Sequence, residues 1–305
     1  MLTNEFILQD RLQKIKQIIN QYGEENFYIS FSGGKDSTVL SALVDMALPD
    51  NKIPRVYADT GIELDIIKDF VFKLKEKDER IQIIKPSKNI KKTLEIYGYP
   101  FKSKDHSGIV ATFQNSGFSK TVDRYLNPPL ERKRFGCPKI LKYQFEQDFK
   151  IKISKKCCDK MKKEPIHKWQ RENKKPYGIV GIMKDEGGSR LNARCLAFKS
   201  SGKLKNFQPL VAVTKDWEDW FIKTYNIKIC DIYKPPYNFE RTGCKGCPFN
   251  IHIQRELDTL EKYFPEERKQ CEIIWKPVYD EYRRIGYRLN QCEQMSIFDL
   301  GDNNE

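Results

Sequence analysis

Ser30-Phe31-Ser32-Gly33-Gly34-Lys35-Asp36-Ser37 is the densest stretch of chemistry in this 305-residue chain. Glycines let a backbone approach an anion closely. A strand that turns through them into a helix offers backbone N–H groups and the positive end of the helix dipole. Lys35 would offset phosphate charge, and Ser32 and Ser37 would add hydroxyl donors. This is not a Walker A loop, because Asp36 stands where that motif needs a hydroxyl after the lysine. Nor does a dinucleotide-type Gly-x-Gly-x-x-Gly follow any strand signal.

Nine cysteines supply the second chemistry: Cys137, Cys157, Cys158, Cys195, Cys230, Cys244, Cys247, Cys271 and Cys292. No export signal is evident, so they are expected as reduced thiols that bind metal or react. Cys157-Cys158 is an adjacent pair, and Cys244-Lys245-Gly246-Cys247 is a Cys-x-x-Cys. Adjacent side chains on a helix diverge by roughly 100°. They reach one zinc awkwardly but can bind two irons of one cluster, and four thiolates complete a [4Fe–4S] centre. Zinc is the chemical alternative. Spacing leaves Cys271 or Cys137 open as a substitute ligand, while Cys195 and Cys230 read as core residues.

These groups need elements to place them. Glu25–Phe31, Ile53–Ala58 and Ile81–Lys85 read as strands, with helices over Ser37–Ala47, Glu63–Lys75 and Asn89–Tyr97 between and after them. That alternation implies an α/β fold with a parallel sheet covered by helices. Residues 1–24 read as an amphipathic helix. After Pro100 the pattern gives way to a loop-rich, basic stretch up to Phe135. Tyr177–Met183 and Phe207–Val213 read as further strands and Trp217–Tyr225 as a helix. Ile251–Leu289 is helical with a break at Pro265. No repeat or low-complexity segment is evident.

Composition sets the bounds. Hydrophobic residues make up 39% and charged residues 32%, with a mean hydropathy of -0.67. The 18 Phe, 15 Tyr and 4 Trp argue against a disordered chain. No apolar run approaches the roughly 18 residues that cross a bilayer. The N-terminus does not read as a signal peptide, so a cytoplasmic protein is expected. The net charge of +13 attracts polyanions, and nucleic acid, DNA or tRNA, is the expected partner.

Ser32–Ser37 (SGGKDS) resembles the pyrophosphate loop of the adenine-nucleotide alpha-hydrolase superfamily. That group includes ATP pyrophosphatases, tRNA thiolation enzymes and the adenylyl-sulfate and phosphoadenylyl-sulfate (PAPS) reductases. Asp59-Thr60-Gly61-Ile62-Glu63 is similar to the Asp-Thr-Gly segment of the reductase branch, which lies beside the nucleotide. Gly181–Arg190 (GIMKDEGGSR) resembles the branch's strand followed by Glu-Ser-x-x-Arg. Glu186 and Arg190 are retained, Gly187 stands at the serine position, and Ser189 is nearby. The resemblance covers roughly residues 25–250. It implies an adenine nucleotide alpha-hydrolase-like (PP-loop) domain over 25–235, carrying a basic Cys-Cys insertion near 137–176. A helical, cysteine-bearing region at 236–290 and a flexible tail at 291–305 would follow. It also implies a nucleotide site at Ser32, Gly33, Gly34, Lys35, Asp36, Ser37, Asp59, Thr60, Gly61, Glu186 and Arg190, with Lys35 and Asp36 acting on ATP with Mg²⁺. The cysteine pattern resembles the cluster motif of assimilatory adenylyl-sulfate reductases and of the related DNA phosphorothioation enzyme. Cys157, Cys158, Cys244 and Cys247 are accordingly the expected iron ligands.

Two further features bear on the substrate. From Lys142 to Lys175 lysines alternate with Tyr143, Phe145, Phe149, His167 and Trp169. This is either a basic surface with aromatics that stack on unpaired bases, or a helical hairpin with its aromatics in the core. The tail's Gln294, Met295, Ile297 and Phe298 resemble the short motif that docks bacterial proteins on the β sliding clamp. The alternative is a tail folded onto its own core. The reductases' nucleophilic Cys-Gly-Leu-His is not found in this sequence, and Cys292 has no neighbouring cation to activate it. The expected function is an ATP-dependent, pyrophosphate-releasing iron–sulfur sulfurtransferase on nucleic acid, served by a sulfur-donor protein. The alternatives are a sulfonucleotide reductase forming sulfite and a nucleotide-gated, DNA- or clamp-binding accessory protein without turnover.

Overall fold

A computed structural model describes residues 3–291, apart from the side chains at 132, 186, 188 and 189. In chain order the elements are α1 (Asn4–Tyr22), β1 (Phe27–Phe31), α2 (Lys35–Ala47), β2 (Arg55–Ala58), α3 (Asp65–Lys75), β3 (Ile81–Ile84) and α4 (Ile90–Tyr97). Then come α5 (Lys104–Ser116), α6 (Lys120–Leu126), α7 (Lys156–Cys158), which runs through a π-helical turn (Asp159–Lys163) into α8 (Glu164–Glu172), and β4 (Tyr177–Ile179). The chain ends with β5 (Leu196–Phe198), β6 (Leu204–Phe207), α9 (Lys215–Thr224), α10 (Ile253–Tyr263) and α11 (Pro265–Arg284). None of the described helices is long and apolar enough to cross a membrane.

The chain packs as two compact units, each built from two segments: residues 1–89 with 158–244, and residues 90–157 with 245–305. These are not the consecutive blocks 25–235 and 236–290 read from the sequence. Residues 90–157, placed within the nucleotide domain by sequence, pack instead with the C-terminal helices.

The first unit holds one six-stranded sheet in the order β3-β2-β1-β4-β6-β5, parallel except for the β5–β6 pair. Ile29 of β1 lies between Arg55 of β2 and Ile179 of β4, so strand order reverses at the sheet's centre. Alternate residues of β1 enter different clusters, as a sheet covered on both faces requires. Phe27 and Ile29 pack with Leu40 and Leu43 of α2, Ile15 and Ile19 of α1, and Trp217 and Phe221 of α9. Tyr28 packs with Val56 and with Trp169 of α8. Each large apolar side chain fully buried this way contributes about 1.5–3 kcal/mol. Thr3 and Thr214 cap α1 and α9 through their hydroxyls.

Phe207–Val213 is not one strand. β6 stops at Phe207, and Pro209, without an N–H, opens a 3₁₀ turn over Pro209–Ala212. In the second unit, the stretch after Pro100 is not loop-rich. Ser103 and Ser119 cap α5 and α6, which pack around His106. That histidine is fully buried, with Nδ1 2.8 Å from the Tyr125 hydroxyl and Nε2 2.7 Å from Gln144 Oε1. Burial pushes its pKa down to about 4, so it is a neutral core residue. Of the aromatics between Lys142 and Lys175, Phe145 and Trp169 are buried, and the Trp169 indole donates to Gln82 Oε1 at 2.8 Å. The core reading therefore holds for these two.

Candidate functional site

The phosphate-type loop lies where strand order reverses, the position at which parallel sheets bind ligands at their carboxyl ends. Gly33 turns at φ 70°, a conformation that favours glycine, and a Cβ there would meet Val71 Cγ2 at 2.5 Å. The serines brace the loop. The Ser32 N–H donates to Ser37 Oγ at 3.2 Å, the Gly34 N–H to Ser32 Oγ at 3.3 Å, and the Ser37 hydroxyl to the Gly34 carbonyl at 2.9 Å. A Cβ on Gly181, after β4, would lie 3.1 Å from the Asp36 carbonyl oxygen, so the two motif segments meet directly.

Lys35 is already paired. Its Nζ lies 3.0 Å from Glu218 Oε2 and 3.0 Å from Asp219 Oδ1, both on α9. Burial alone would lower the Lys35 pKa, but the two carboxylates raise it. The Glu218 side chain is fully buried and its oxygens have no well-formed hydrogen bond among the described residues. Burial and the neighbouring Asp36 push its pKa up to about 7 against the pull of Lys35. Tyr233 is a second unexpected neighbour. Its hydroxyl accepts the Lys35 N–H and bonds to Thr242. Arg190 shares its surroundings with Arg241 and Asp36, and burial, then Arg241, lowers its pKa. Two guanidiniums beside a glycine loop form an anion-attracting surface. The backbone of Glu186 lies in a 3₁₀ turn (Lys184–Glu186), and its side chain lies outside the described residues.

The Asp59–Glu63 turn closes on itself. Glu63 accepts the Thr60 N–H at 3.0 Å and the Thr60 hydroxyl at 2.6 Å, and Asp59 Oδ1 accepts the Gly61 N–H at 3.2 Å. Glu63 also reaches Lys162 at 3.7 Å. Lys162 faces the Cys244 and Cys158 thiols and Glu63, and its attraction to Cys244 in the thiolate form, then to Glu63, raises its pKa against burial. Burial raises the Cys244 pKa and Lys162 opposes it. Beside them the buried Tyr57 hydroxyl, with no hydrogen-bond partner among the described residues, faces Glu63, Asp59 and Cys244. Lys162 and Tyr57 thus join the first unit's thiols to its Asp-Thr-Gly turn, and neither carries a sequence motif that announces it.

The other two thiols belong to the second unit, where Cys157 is buried. There the Cys-x-x-Cys turn is clamped. The Gly246 N–H donates to Glu256 at 2.8 Å, Tyr279 bonds the Gly246 carbonyl, and the Trp275 indole donates to the Lys245 carbonyl at 2.9 Å. Four thiols are the donor chemistry of an iron–sulfur or zinc centre. Among the described residues, however, no group of three or more His, Cys, Asp or Glu side chains is arranged to hold a metal ion. Cys230 is buried and Cys195 packs against the main core, as expected of them. Cys292, Gln294, Met295, Ile297 and Phe298 lie outside the described residues.

A mostly parallel sheet with helices on both faces and a glycine-rich loop at its strand-order reversal is an open α/β fold with its ligand crevice at that loop. The chain belongs to the phosphoadenosine phosphosulfate reductase domain family, whose pattern matches residues 26–126 and 129–250. None of the curated proteins matches the sequence. Among solved structures it is similar to the phosphoadenylyl-sulfate reductase of Candida auris, with 13% identity, TM-score 0.45, and 80% of this chain and 96% of that one covered. The FMN adenylyltransferase of Candida glabrata gives 13% identity and TM-score 0.46, covering 78% of this chain and 61% of that one. The U34-tRNA thiolase NcsA of Methanococcus maripaludis, with its [4Fe-4S] cluster, gives 14% identity and TM-score 0.37, covering 90% of this chain and 79% of that one.

Proposed function

We propose that this chain is a cytoplasmic, ATP-dependent sulfurtransferase acting on nucleic acid. The observation that carries the reading is the braced Ser32–Ser37 loop, with Lys35 and Asp36 at the N-terminus of α2. An oxygen of the target attacks the α-phosphorus of ATP, the bond to pyrophosphate breaks, and pyrophosphate leaves with Mg²⁺. A hydrosulfide-level sulfur from a donor protein then displaces AMP, so no net electrons are transferred. Gly33 and Gly34 shape the cradle, Lys35 offsets the leaving charge, Asp36 holds Mg²⁺, and Arg190 orients the nucleotide. Cys157, Cys158, Cys244 and Cys247 would hold a [4Fe–4S] cluster, with Zn²⁺ the alternative; four thiolates would coordinate every iron, so such a cluster would supply electron-transfer capacity and negative charge, not an open iron. Gln294, Met295, Ile297 and Phe298 would dock on a sliding clamp, which favours DNA over tRNA as the target.

Membership of the reductase family favours one second reading, reduction of a sulfonucleotide to sulfite. One experiment separates them. Anaerobic protein receives labelled ATP and Mg²⁺ with duplex DNA, single-stranded DNA or tRNA, and in a parallel arm PAPS or adenylyl sulfate with a thiol. AMP formation stimulated by one nucleic acid, and lowered at least about 10²-fold by Lys35→Ala, is expected. Sulfite without nucleic acid, and no labelled AMP from ATP, would replace the proposal with the reductase. Deleting residues 294–300 should leave AMP formation on free DNA unchanged and abolish capture by clamp-coated beads.

A further inference from the structure

The chain's positive charge is concentrated in one segment. Residues 90–157 carry 15 Lys and Arg against six Asp and Glu, a net +9 of the chain's +13. Within the second unit that segment encloses an open groove of about 1010 Å³ between α4, α5 and the run 149–156, which makes one β-bridge at Ile153 and ends at the start of α7. This is at the top of the roughly 300–1,000 Å³ typical of small-ligand pockets. Its wall alternates cations with rings. Lys150, Lys152 and Lys156 lie on one stretch of chain, and Tyr97, Phe113, Phe118 and Phe149 line it with them. Phe118 is 70% exposed, and its ring meets Phe113 edge-on at 5.2 Å between centroids, which holds it in place without covering it. Lys150 Nζ is tied to the Gln147 carbonyl at 2.9 Å, Lys152 Nζ to the Ile96 carbonyl at 2.7 Å, and Lys156 Nζ stands 5.5 Å from the centre of the Tyr97 ring. Two of the three cations are therefore held by backbone carbonyls and the third stands over a ring. Glu146 is the one acid among the lining residues.

We infer that this groove binds single-stranded nucleic acid, the lysines following the phosphates and Phe118 stacking on an unpaired base. A fixed row of cations matches a polyanion, and a ring presented on its face matches bases that are not already stacked in a duplex. Lys156 precedes Cys157, so the groove ends in sequence at the cysteine pair. The inference rests on the nucleic-acid reading above and adds to it the strand state of the substrate and its place of binding.

The test is fluorescence anisotropy of the full chain with labelled 20-nucleotide single strands of DNA and RNA, and with the matching duplexes, from 50 to 200 mM salt. Single strands are expected to bind more tightly than duplex. Phe118→Ala should weaken single-strand binding roughly tenfold, the order of one lost base stack. Lys150→Gln/Lys152→Gln should lower the slope of log affinity against log salt by roughly 0.7 per lysine. Lys120→Gln/Lys139→Gln removes the same charge outside the groove and should leave the Phe118-dependent part intact, with unchanged thermal midpoints showing that all variants fold. Tight binding that none of the groove variants alters would overturn the groove while leaving the AMP-forming reading standing. Absence of nucleic-acid binding in the parent chain would overturn both. Groove-dependent binding without AMP formation would support the groove and remove the enzyme reading alone.

Discussion

A nucleotide engaging Lys35 would have to share or displace two carboxylates on α9, and the protonation of Glu218 is expected to set how readily it does so. Glu218 is faced by Lys35, Asp36 and Asp219, and its pKa is pushed up to about 7 by burial and by Asp36. A folded-state value above the ordinary 4.5 means that the folded protein holds the proton more tightly than the unfolded chain. Glu218 therefore contributes stability that is complete below about pH 4.5 and lost as pH rises through about 7. The same proton weakens its grip on Lys35. In Glu218→Gln the thermal midpoint should gain on the parent as pH rises from 5 to 8. The parent's affinity for a non-hydrolysable ATP analogue should fall relative to the variant over the same range, by several-fold. Measuring both proteins in the same buffers cancels the titration of the nucleotide. Parallel curves for the two would show that Glu218 does not control Lys35.

At the scale of elements, the first βαβ turns were legible because they are local. β1 to β3 and α2 to α4 each carry an apolar run or a helical period of their own. The Ser32–Ser37 loop announces itself in consecutive residues. α5 and α6 were not legible, since their polar, Ser-capped sequences bury few residues, and β5 is only three residues long. Pro209 disguised the end of β6 as further strand. The partners of the site were hidden for another reason. Glu218 and Tyr233 come to the loop from some 180–200 positions away, and Tyr57 is the single aromatic of a short buried strand, which reads as ordinary core. The two loop glycines allow a direct check of element-level reasoning. Gly33→Ala forces a Cβ against Val71 at positive φ and should cost about 1–3 kcal/mol in urea unfolding. Gly34 has an ordinary φ of -76°, and its Cβ would come within 3.2 Å of the Tyr233 hydroxyl. Gly34→Ala should cost less stability than Gly33→Ala and act chiefly by displacing Tyr233 from the Lys35 N–H.

Across the whole molecule the chain passes between its two units three times. Two of those passages fall inside the cysteine motifs, after Cys157 and after Cys244. Each unit thus owns one thiol of each motif. The metal can be identified without assuming the reaction. Protein purified anaerobically should contain about four iron and four acid-labile sulfide per chain, and serine at Cys157, Cys158, Cys244 or Cys247 should remove most of both. Cys271 provides the control. It is fully buried beside Gly246, and burial pushes its thiol up to about 12, so it packs as an apolar side chain. Cys271→Ala should keep the iron and lose only the stability of a small core deletion. About one zinc per chain, with no iron and no visible absorption, would assign the same thiols to a structural site and shift the sulfur chemistry to the donor protein. Iron lost in Cys271→Ala but kept in Cys157→Ser would move the ligand set away from the Cys-Cys pair.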